Sequence, residues 1–233
     1  MATPSTARVI SKQMLIPNVV GVDFAMVEPP QINYNAGQYV ILHTTGPNGN
    51  VVKRSYSISS PPAAAGFSLC VKIVGDASQY IADLKPGDPV KFSGPWGMGK
   101  FTFPEKTENE IVMIATGTGL SPIYSLLSGN LSAHPDKRFL FLWGLKKESD
   151  IFYTKELEDL AQKYLNFAFR IVLSEAGSAW TGKRGMLSDV FAAEIGDLGG
   201  KEYFLAGNGN MINIVEHELI TRGISPDRIH KEI

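Results

Sequence analysis

The chain has 233 residues, 44% of them hydrophobic and 19% charged, which suits one large or two small globular domains with sizeable cores. Its 22 basic and 23 acidic residues leave a formal net charge of −1, which argues against nucleic acid as the main partner. A single cysteine, Cys70, excludes an internal disulfide and any Cys-ligated zinc or iron–sulfur cluster, and His43, His134, His217 and His230 form no close-spaced pair, so no metal site is expected.

Residues 1–8 lack the charged-then-apolar pattern of a secretory signal, and no run approaches the length that spans a bilayer. The expectation is a cytoplasmic protein without a membrane partner.

From residue 7 to about 90, short apolar or alternating runs fall at 9–15, 19–27, 39–43, 51–58, 67–74 and 89–92. They are broken at Glu28-Pro29-Pro30, Gly46-Pro47-Asn48-Gly49-Asn50 and Lys85-Pro86-Gly87-Asp88. Strands at this spacing predict a small antiparallel barrel or sandwich. In the run at 51–58, stopped soon after by Pro61-Pro62, alternation puts Arg54 and Tyr56 on one face. A guanidinium beside a phenol suits a ligand that is anionic at one part and flat and aromatic at another, as a flavin nucleotide is. Taken alone, an ordinary amphipathic strand with an exposed Arg and a half-buried Tyr is the preferred reading. Gly75 to Leu84 then reads as a tight turn and a short helix. Its first N–H groups, with the Ser78 hydroxyl as a further donor, would hold a phosphate; Asp76 or Ser78 serving simply as helix cap accounts for the segment equally well. Residues 100–109 turn polar and carry Pro104, which sets domains at 1–105 and 106–233.

Beyond the boundary the period changes. Buried strands are predicted at 111–115, 139–144, 168–173 and 203–206, alternating with helices to about 131 and at 153–165, 186–194 and 210–222. Such alternation implies a parallel sheet with helices on both faces, which binds ligands at the carboxyl ends of its strands. Two glycine turns lie at those ends, Gly117-Thr118-Gly119 and Gly207-Asn208-Gly209-Asn210-Met211. Glycines there let backbone approach a pyrophosphate and aim the next helix at it, although a lone G-x-G is as commonly just a tight strand–helix turn.

In order, the chain carries R-x-Y-S (Arg54 to Ser57), G-x-x-S (Gly75 to Ser78), G-T-G-x-x-P (Gly117 to Pro122), G-x-x-x-M (Gly207 to Met211) and His230-Lys231-Glu232. Together these resemble the ferredoxin–NADP reductase family of flavoproteins over nearly the whole chain. The resemblance implies a flavin-binding β-barrel domain followed by a nicotinamide-nucleotide α/β domain, and an enzyme that passes hydride from NAD(P)H to bound FAD. Electrons would then go to an external acceptor, an iron–sulfur protein, flavodoxin, oxygenase component or small oxidant. It implies that Arg54, with Ser55 beside it, grips the flavin pyrophosphate, that Tyr56 stacks on the isoalloxazine and that Ser57 hydrogen-bonds flavin N5. Alternation turns Ser57 away from the face of Tyr56, so the flavin edge would lie where the strand bends. Val71, Lys72, Ile73, Gly75, Ala77 and Ser78 would hold the rest of the FAD. Gly117, Thr118, Gly119, Gly207, Asn208 and Met211 would hold the nicotinamide nucleotide, and Glu232 would stand near the reactive edge; Tyr56, Ser57 and Glu232 are the candidate catalytic residues.

Three departures follow. Ala206 stands where many members have cysteine beside the nicotinamide, and the chain ends at Ile233 without the longer tail that some members lay over the flavin. Third, Ser174 is followed by Glu175, where NADPH-selective relatives usually carry arginine. A carboxylate accepts hydrogen bonds from a ribose diol and repels a 2′-phosphate, so NADH is expected over NADPH; Lys183 and Arg184 in the following loop could supply the opposite preference. The alternatives are a reductase of diffusible flavin and a non-catalytic nucleotide-sensing or partner-binding subunit on the same fold.

Overall fold

The computed structural model describes residues 4–46, 49–104, 107 and 110–232. Parts of the turn expected at 46–50 and of the linker expected at 100–109 lie outside them, as does Ile233. The chain divides into two compact units, Met1–Thr102 with Tyr124–Gly129, and Phe103–Ile123 with Asn130–Ile233.

The first unit is built on six antiparallel strands: β1 (Ser5–Ile16), β2 (Val19–Glu28), β3 (Tyr39–Thr45), β4 (Val51–Ser57), β5 (Gly66–Lys72) and β6 (Pro89–Trp96), with helix α1 (Asp76–Asp83) between the last two. Their order is β4-β3-β6-β1-β2-β5. Strict alternation buries Val40, Leu42 and Thr44 of β3 and Val90 and Phe92 of β6 on one face. On that face Phe67 stacks on Phe24 and meets the edge of Phe92, both at 5.1 Å between ring centroids. Burying each such ring stabilises the fold by roughly 2–3 kcal/mol. The sheet's two terminal strands meet where Ile58 bridges Leu69, and the Ser59 N–H donates to the Ser68 carbonyl (2.9 Å), so the sheet closes on itself along a short seam.

Two strands of this unit run four residues past an expected limit. β1 begins at Ser5 rather than residue 9, because Ser5–Arg8 pairs with Phe92–Pro89 of β6. β6 resumes after an irregularity to set Trp96 opposite Tyr39. Polar outward positions hid the first extension and Gly94-Pro95 the second.

The second unit is a parallel sheet with helices between its strands: β7 (Glu110–Thr116), α2 (Leu120–Asn130, whose Tyr124–Gly129 stretch groups with the first unit), β8 (Phe139–Leu145), α3 (Thr154–Lys163), β9 (Phe167–Leu173), β10 (Lys183–Arg184), α4 (Leu187–Ile195), β11 (Lys201–Ala206), α5 (Gly209–Thr221) and β12 (Ile229–Lys231). Strand order is β10-β9-β8-β7-β11-β12, every pair parallel. Residues 111–115 of β7 and 202–206 of β11 are buried without a break, as strands covered on both faces must be. Successive strands step one way from β7 to β10 and then jump to β11 on the other side. The reversal at β7 leaves a crevice at the carboxyl ends of β7 and β11. The two short strands β10 and β12 were not expected from the sequence. Among the described residues no helix is long and apolar enough to cross a membrane, and no group of three or more His, Cys, Asp or Glu could hold a metal ion.

Candidate functional site

In the first unit, β3 sets Leu42 opposite Arg54 and Val40 opposite Tyr56. Opposed residues share a face, so Arg54 and Tyr56 both rise from the side that buries Val40 and Leu42. Tyr56 is half-buried against that core, while Arg54 is exposed, its Nη1 donating to the Lys53 carbonyl (2.9 Å). Burial pushes the Tyr56 phenol above its ordinary pKa, and the Arg54 charge opposes the rise, which marks the two groups as near neighbours. Ser55 and Ser57 take the outward face, Ser57 opposite Tyr39. Ser57 also ends β4, immediately before the chain crosses to β5 at Ile58.

At the end of β5 the Ile73 N–H donates to the Asn18 carbonyl (2.8 Å). Ile73 and, by ladder alternation, Val71 therefore spend their backbone groups on the β2 side, and Lys72 turns its N–H and C=O to the opposite edge. The turn that follows is stitched by Ser78. This buried hydroxyl accepts from the N–H groups of Val74 (2.9 Å) and Gly75 (3.0 Å) and donates to the Gly75 carbonyl (2.8 Å). Its proton is committed within the turn, so it is not the additional donor read from the sequence. Neither Asp76 nor Ser78 is the N-cap, a position taken by Gly75. What the turn offers an anion is the backbone N–H of Asp76, Ala77 and Ser78 at the head of α1. A Cβ built at Gly75 would meet nothing within 4 Å, so the turn opens on space. Ile81 and Leu84 anchor α1 in the barrel core, and the helix packs on β3, β4 and β5.

In the second unit the two glycine turns lie against each other. A Cβ on Gly119 would fall 2.6 Å from the Gly207 nitrogen and 2.7 Å from Gly207 Cα and the Ala206 carbonyl carbon. Gly207 has φ +106°, and a Cβ there would meet the Thr116 carbonyl oxygen at 2.4 Å. The Thr116 hydroxyl accepts from the Asn208 N–H (2.9 Å), joining the ends of β7 and β11. Asn208 Oδ1 caps α5 by accepting from Asn210 N–H (2.9 Å) and Met211 N–H (3.3 Å). The Met211 side chain, only 7% exposed, belongs to the core of this unit, so its part in any site is through backbone. Gly117 has φ +55°, open space where a Cβ would stand, and its carbonyl held by the Trp143 indole N–H (2.9 Å). Thr118, half-buried, lies between the two glycines. β12 runs beside β11, and the Glu232 N–H donates to the Leu205 carbonyl (3.0 Å), which brings Glu232 alongside the wholly buried Ala206 at the same end of the sheet.

Ser174 and Glu175 follow β9, their N–H groups bonded to the carbonyls of Leu145 (3.0 Å) and Lys146 (2.8 Å). The Glu175 carboxylate faces the Lys147 ammonium at 3.7 Å. Lys183 and Arg184, read from the sequence as loop cations, are engaged elsewhere. Lys183 pairs with Glu194 (2.8 Å), and the Arg184 guanidinium is wrapped by the carbonyls of Ala176, Gly177 and Trp180. Sequence reasoning missed Lys147, Thr116 and Trp143. The Lys146-Lys147 doublet after a strand was the available signal for the first, and nothing local announces the other two.

Residues 6–103 match the model of an oxidoreductase FAD-binding domain, and residues 113–217 that of an oxidoreductase NAD-binding domain. The chain is 32% identical over 241 residues to ferredoxin–NADP reductase B of Sorangium cellulosum, with 100% of this chain and 97% of that protein covered. It is 28% identical to the reductase component DmpP of phenol 2-monooxygenase from Pseudomonas sp. strain CF600, matching 93% of this chain but 63% of that longer protein. Among solved structures, the Amycolatopsis cytochrome P450 reductase GcoB superimposes with a TM-score of 0.89 at 27% identity, covering 99% of this chain and 69% of that one.

Proposed function

The chain belongs to the ferredoxin–NADP reductase family, and on that premise we propose that it is an FAD-dependent NAD(P)H oxidoreductase that hands electrons to a separate acceptor. The observation that carries this reading is the backbone contact between Gly119 and Gly207. The two glycine turns pack at the reversal of a parallel sheet with no room for a side chain at Gly119 or Gly207 and open space at Gly117, an arrangement that suits a pyrophosphate.

The residues of each unit fit their part of the ligand chemistry. The Gly75 turn is open and heads a helix whose first N–H groups suit a phosphate, while Arg54 and Tyr56 pair a forked cation with a flat ring. In this reading residues 1–105 hold FAD. Arg54 binds the pyrophosphate and Tyr56 supports the ring. Ser55, the outward-turned backbone of Lys72 with Val71 and Ile73 on either side of it, and Gly75, Ala77 and Ser78 line the remainder. The Ser57 hydroxyl donates to N5. Residues 106–233 hold the nicotinamide nucleotide at Gly117, Thr118, Gly119, Gly207, Asn208 and the backbone of Met211, with Ser174 and Glu175 at the ribose. Glu232 keeps a carboxylate near the reacting end. Bound FAD supplies acceptance of a hydride and release of its two electrons singly, which one-electron acceptors require. The protein's contribution is to hold the partners in reacting order and exclude water.

NADH is the preferred donor in this proposal, because Glu175 would accept from a ribose diol and repel a 2′-phosphate. Lys147 moderates that repulsion. The acceptor is a protein electron carrier or oxygenase component, the classes named among the relatives.

One absorbance series tests the reading. The purified protein is expected to be yellow, to release FAD on denaturation, and to bleach faster with NADH than with NADPH under anaerobic conditions. A colourless protein that takes up neither FAD nor FMN and shows no bleaching would overturn it.

A further inference from the structure

Trp143 of β8 is wholly buried and stands out of a ligand's reach, yet its one polar atom is spent at the nucleotide turn. Register explains how it gets there. β7 and β8 run parallel with Ala115 opposite Trp143 and Thr116 opposite Gly144, so a side chain as long as an indole at 143 spans the distance to residue 117. The ring is held on two sides, by Phe141 at 6.3 Å and 21° and by the edge of Phe152 at 5.0 Å and 89°. Tyr153, at φ +60°, is the one non-glycine residue with positive φ among the described residues, and it turns the chain immediately after Phe152. Backbone in that region persists where its surroundings over-determine it. A phenylalanine at 143 would fill the same core. What the indole adds is the Nε1–H.

That N–H donates to the Gly117 carbonyl at 2.9 Å, and the direction of the bond matters more than its strength. The Gly117 carbonyl and the Thr118 N–H belong to one peptide unit, which is trans; the cis bonds among the described residues are Glu28-Pro29 and Gly94-Pro95. In a trans unit the C=O and N–H point opposite ways. Drawing the carbonyl in toward the buried indole therefore turns the Thr118 N–H outward from it. The same carbonyl also accepts from the Leu120 N–H, which closes the 3-10 turn Gly117–Gly119. Thr118 precedes the N–H groups that such a turn satisfies, so its own is left for an acceptor outside the turn. Gly117 itself imposes little, with φ +55° and nothing within 4 Å of a built Cβ, so another group must choose the orientation of the peptide.

We propose that Trp143 is a positioning residue for the dinucleotide: its indole fixes the Gly117–Thr118 peptide plane so that the Thr118 N–H is presented to the pyrophosphate. The inference rests on the oxidoreductase reading above and adds to it a residue that no ligand contact would reveal. Setting the plane beforehand removes an ordering cost from binding. The pyrophosphate is remote from the reacting ring and is held alike before and during hydride transfer, so the benefit falls on KM and not on kcat.

The experiment uses the full chain loaded with FAD. Benzothienylalanine at position 143 keeps the shape of tryptophan and puts sulfur in place of the N–H, and Trp143→Phe removes the donor by ordinary mutagenesis. NAD⁺ and inorganic pyrophosphate are the probes, followed by calorimetry and by the Thr118 amide resonance of isotope-labelled protein. In wild type both probes should move that resonance downfield. In both variants the movement should shrink, the NAD⁺ Kd and the NADH KM should weaken about fivefold, and kcat at saturating NADH should stay within about twofold of wild type. An NAD⁺ Kd unchanged in the sulfur isostere would overturn the proposal. So would a weakened Kd with the Thr118 resonance still moving as in wild type, because the indole would then act elsewhere. Wild-type protein that binds neither probe would overturn the nucleotide-site reading along with the proposal, and that failure is told apart because it shows before any variant is made.

Discussion

Replacing Gly119 with alanine isolates the contact on which the nucleotide site depends. The new Cβ would stand 2.6 Å from the Gly207 nitrogen and 2.7 Å from two further atoms, all of them backbone. Ordinary contact begins near 3.4–3.5 Å, so the two turns must part by about 0.8 Å, and no flexible side chain is there to yield. Overpacking of this kind costs about 1–3 kcal/mol in stability. The larger effect is on function, because a misplacement of ~1 Å in groups that position a substrate costs on the order of 10²-fold in rate. Gly117→Ala is the control: its Cβ meets open space, and its penalty is the strain of φ +55° in a residue with a side chain, about 1–2 kcal/mol. Anaerobic stopped-flow bleaching against NADH concentration reads both variants. Gly119→Ala is expected to keep its FAD and lose roughly 10²-fold in bleaching efficiency, and Gly117→Ala to lose distinctly less. Saturation of Gly119→Ala within twofold of wild type, or Gly117→Ala emerging as the worse of the two, would refute the reasoning.

Tyr56→Ala should weaken flavin retention by ~1 kcal/mol of lost stacking, seen as a lower FAD content after gel filtration; full occupancy would remove the ring from the site. Ser57→Ala should retain FAD and bleach more slowly, and an unchanged bleaching rate would exclude the hydroxyl. Glu175→Gln should move the NADH-to-NADPH ratio of kcat/KM toward NADPH by about tenfold, and Lys147→Ala should move it the opposite way; a shift in the same direction for both would contradict the 3.7 Å pairing. The Lys183 hydrogen bond, and less strongly the Arg170 one, hold the Glu194 carboxyl below its ordinary 4.5. A depressed carboxylate stabilises the fold fully above that value, and the contribution disappears as pH falls through the folded pKa. Glu194→Gln should therefore flatten the fall in melting temperature between about pH 5 and 3, and parallel curves would show that the two ion pairs contribute nothing.

Much of this architecture could be read from the chain because its signals are local. Gly/Pro turns bounded the barrel strands, and continuous apolar runs marked β7, β8 and β11. β12 could not be read, because Ile229-His230-Lys231 is too short to show a period and pairs only because β11 offers an edge. β10 is two residues whose pairing is dictated by β9. The site divides the same way. Arg54 and Tyr56 share a face by simple alternation, and the glycine turns were visible as turns. That Gly119 would press on Gly207, or that Thr116 would hold Asn208, depends on strand order across the sheet. The Ser78 hydroxyl was assigned to a ligand because sequence names a donor without showing where its proton already goes.

The seam of the barrel carries a consequence for handling the protein. β4 and β5 are the sheet's last strands, and just past β4 the chain meets β5 at Ile58–Leu69, Ser59–Ser68 and the bond from the Ser68 N–H to Ser60 Oγ (2.9 Å). Past that stitch the two strands form the outer edges of the sheet, and these are the edges assigned to FAD in the proposal above. A ligand lodged there also acts as a plug against strand addition from other molecules. Stripping the yellow cofactor during purification should therefore leave material prone to clumping, and refolding or storage is best done with FAD in excess.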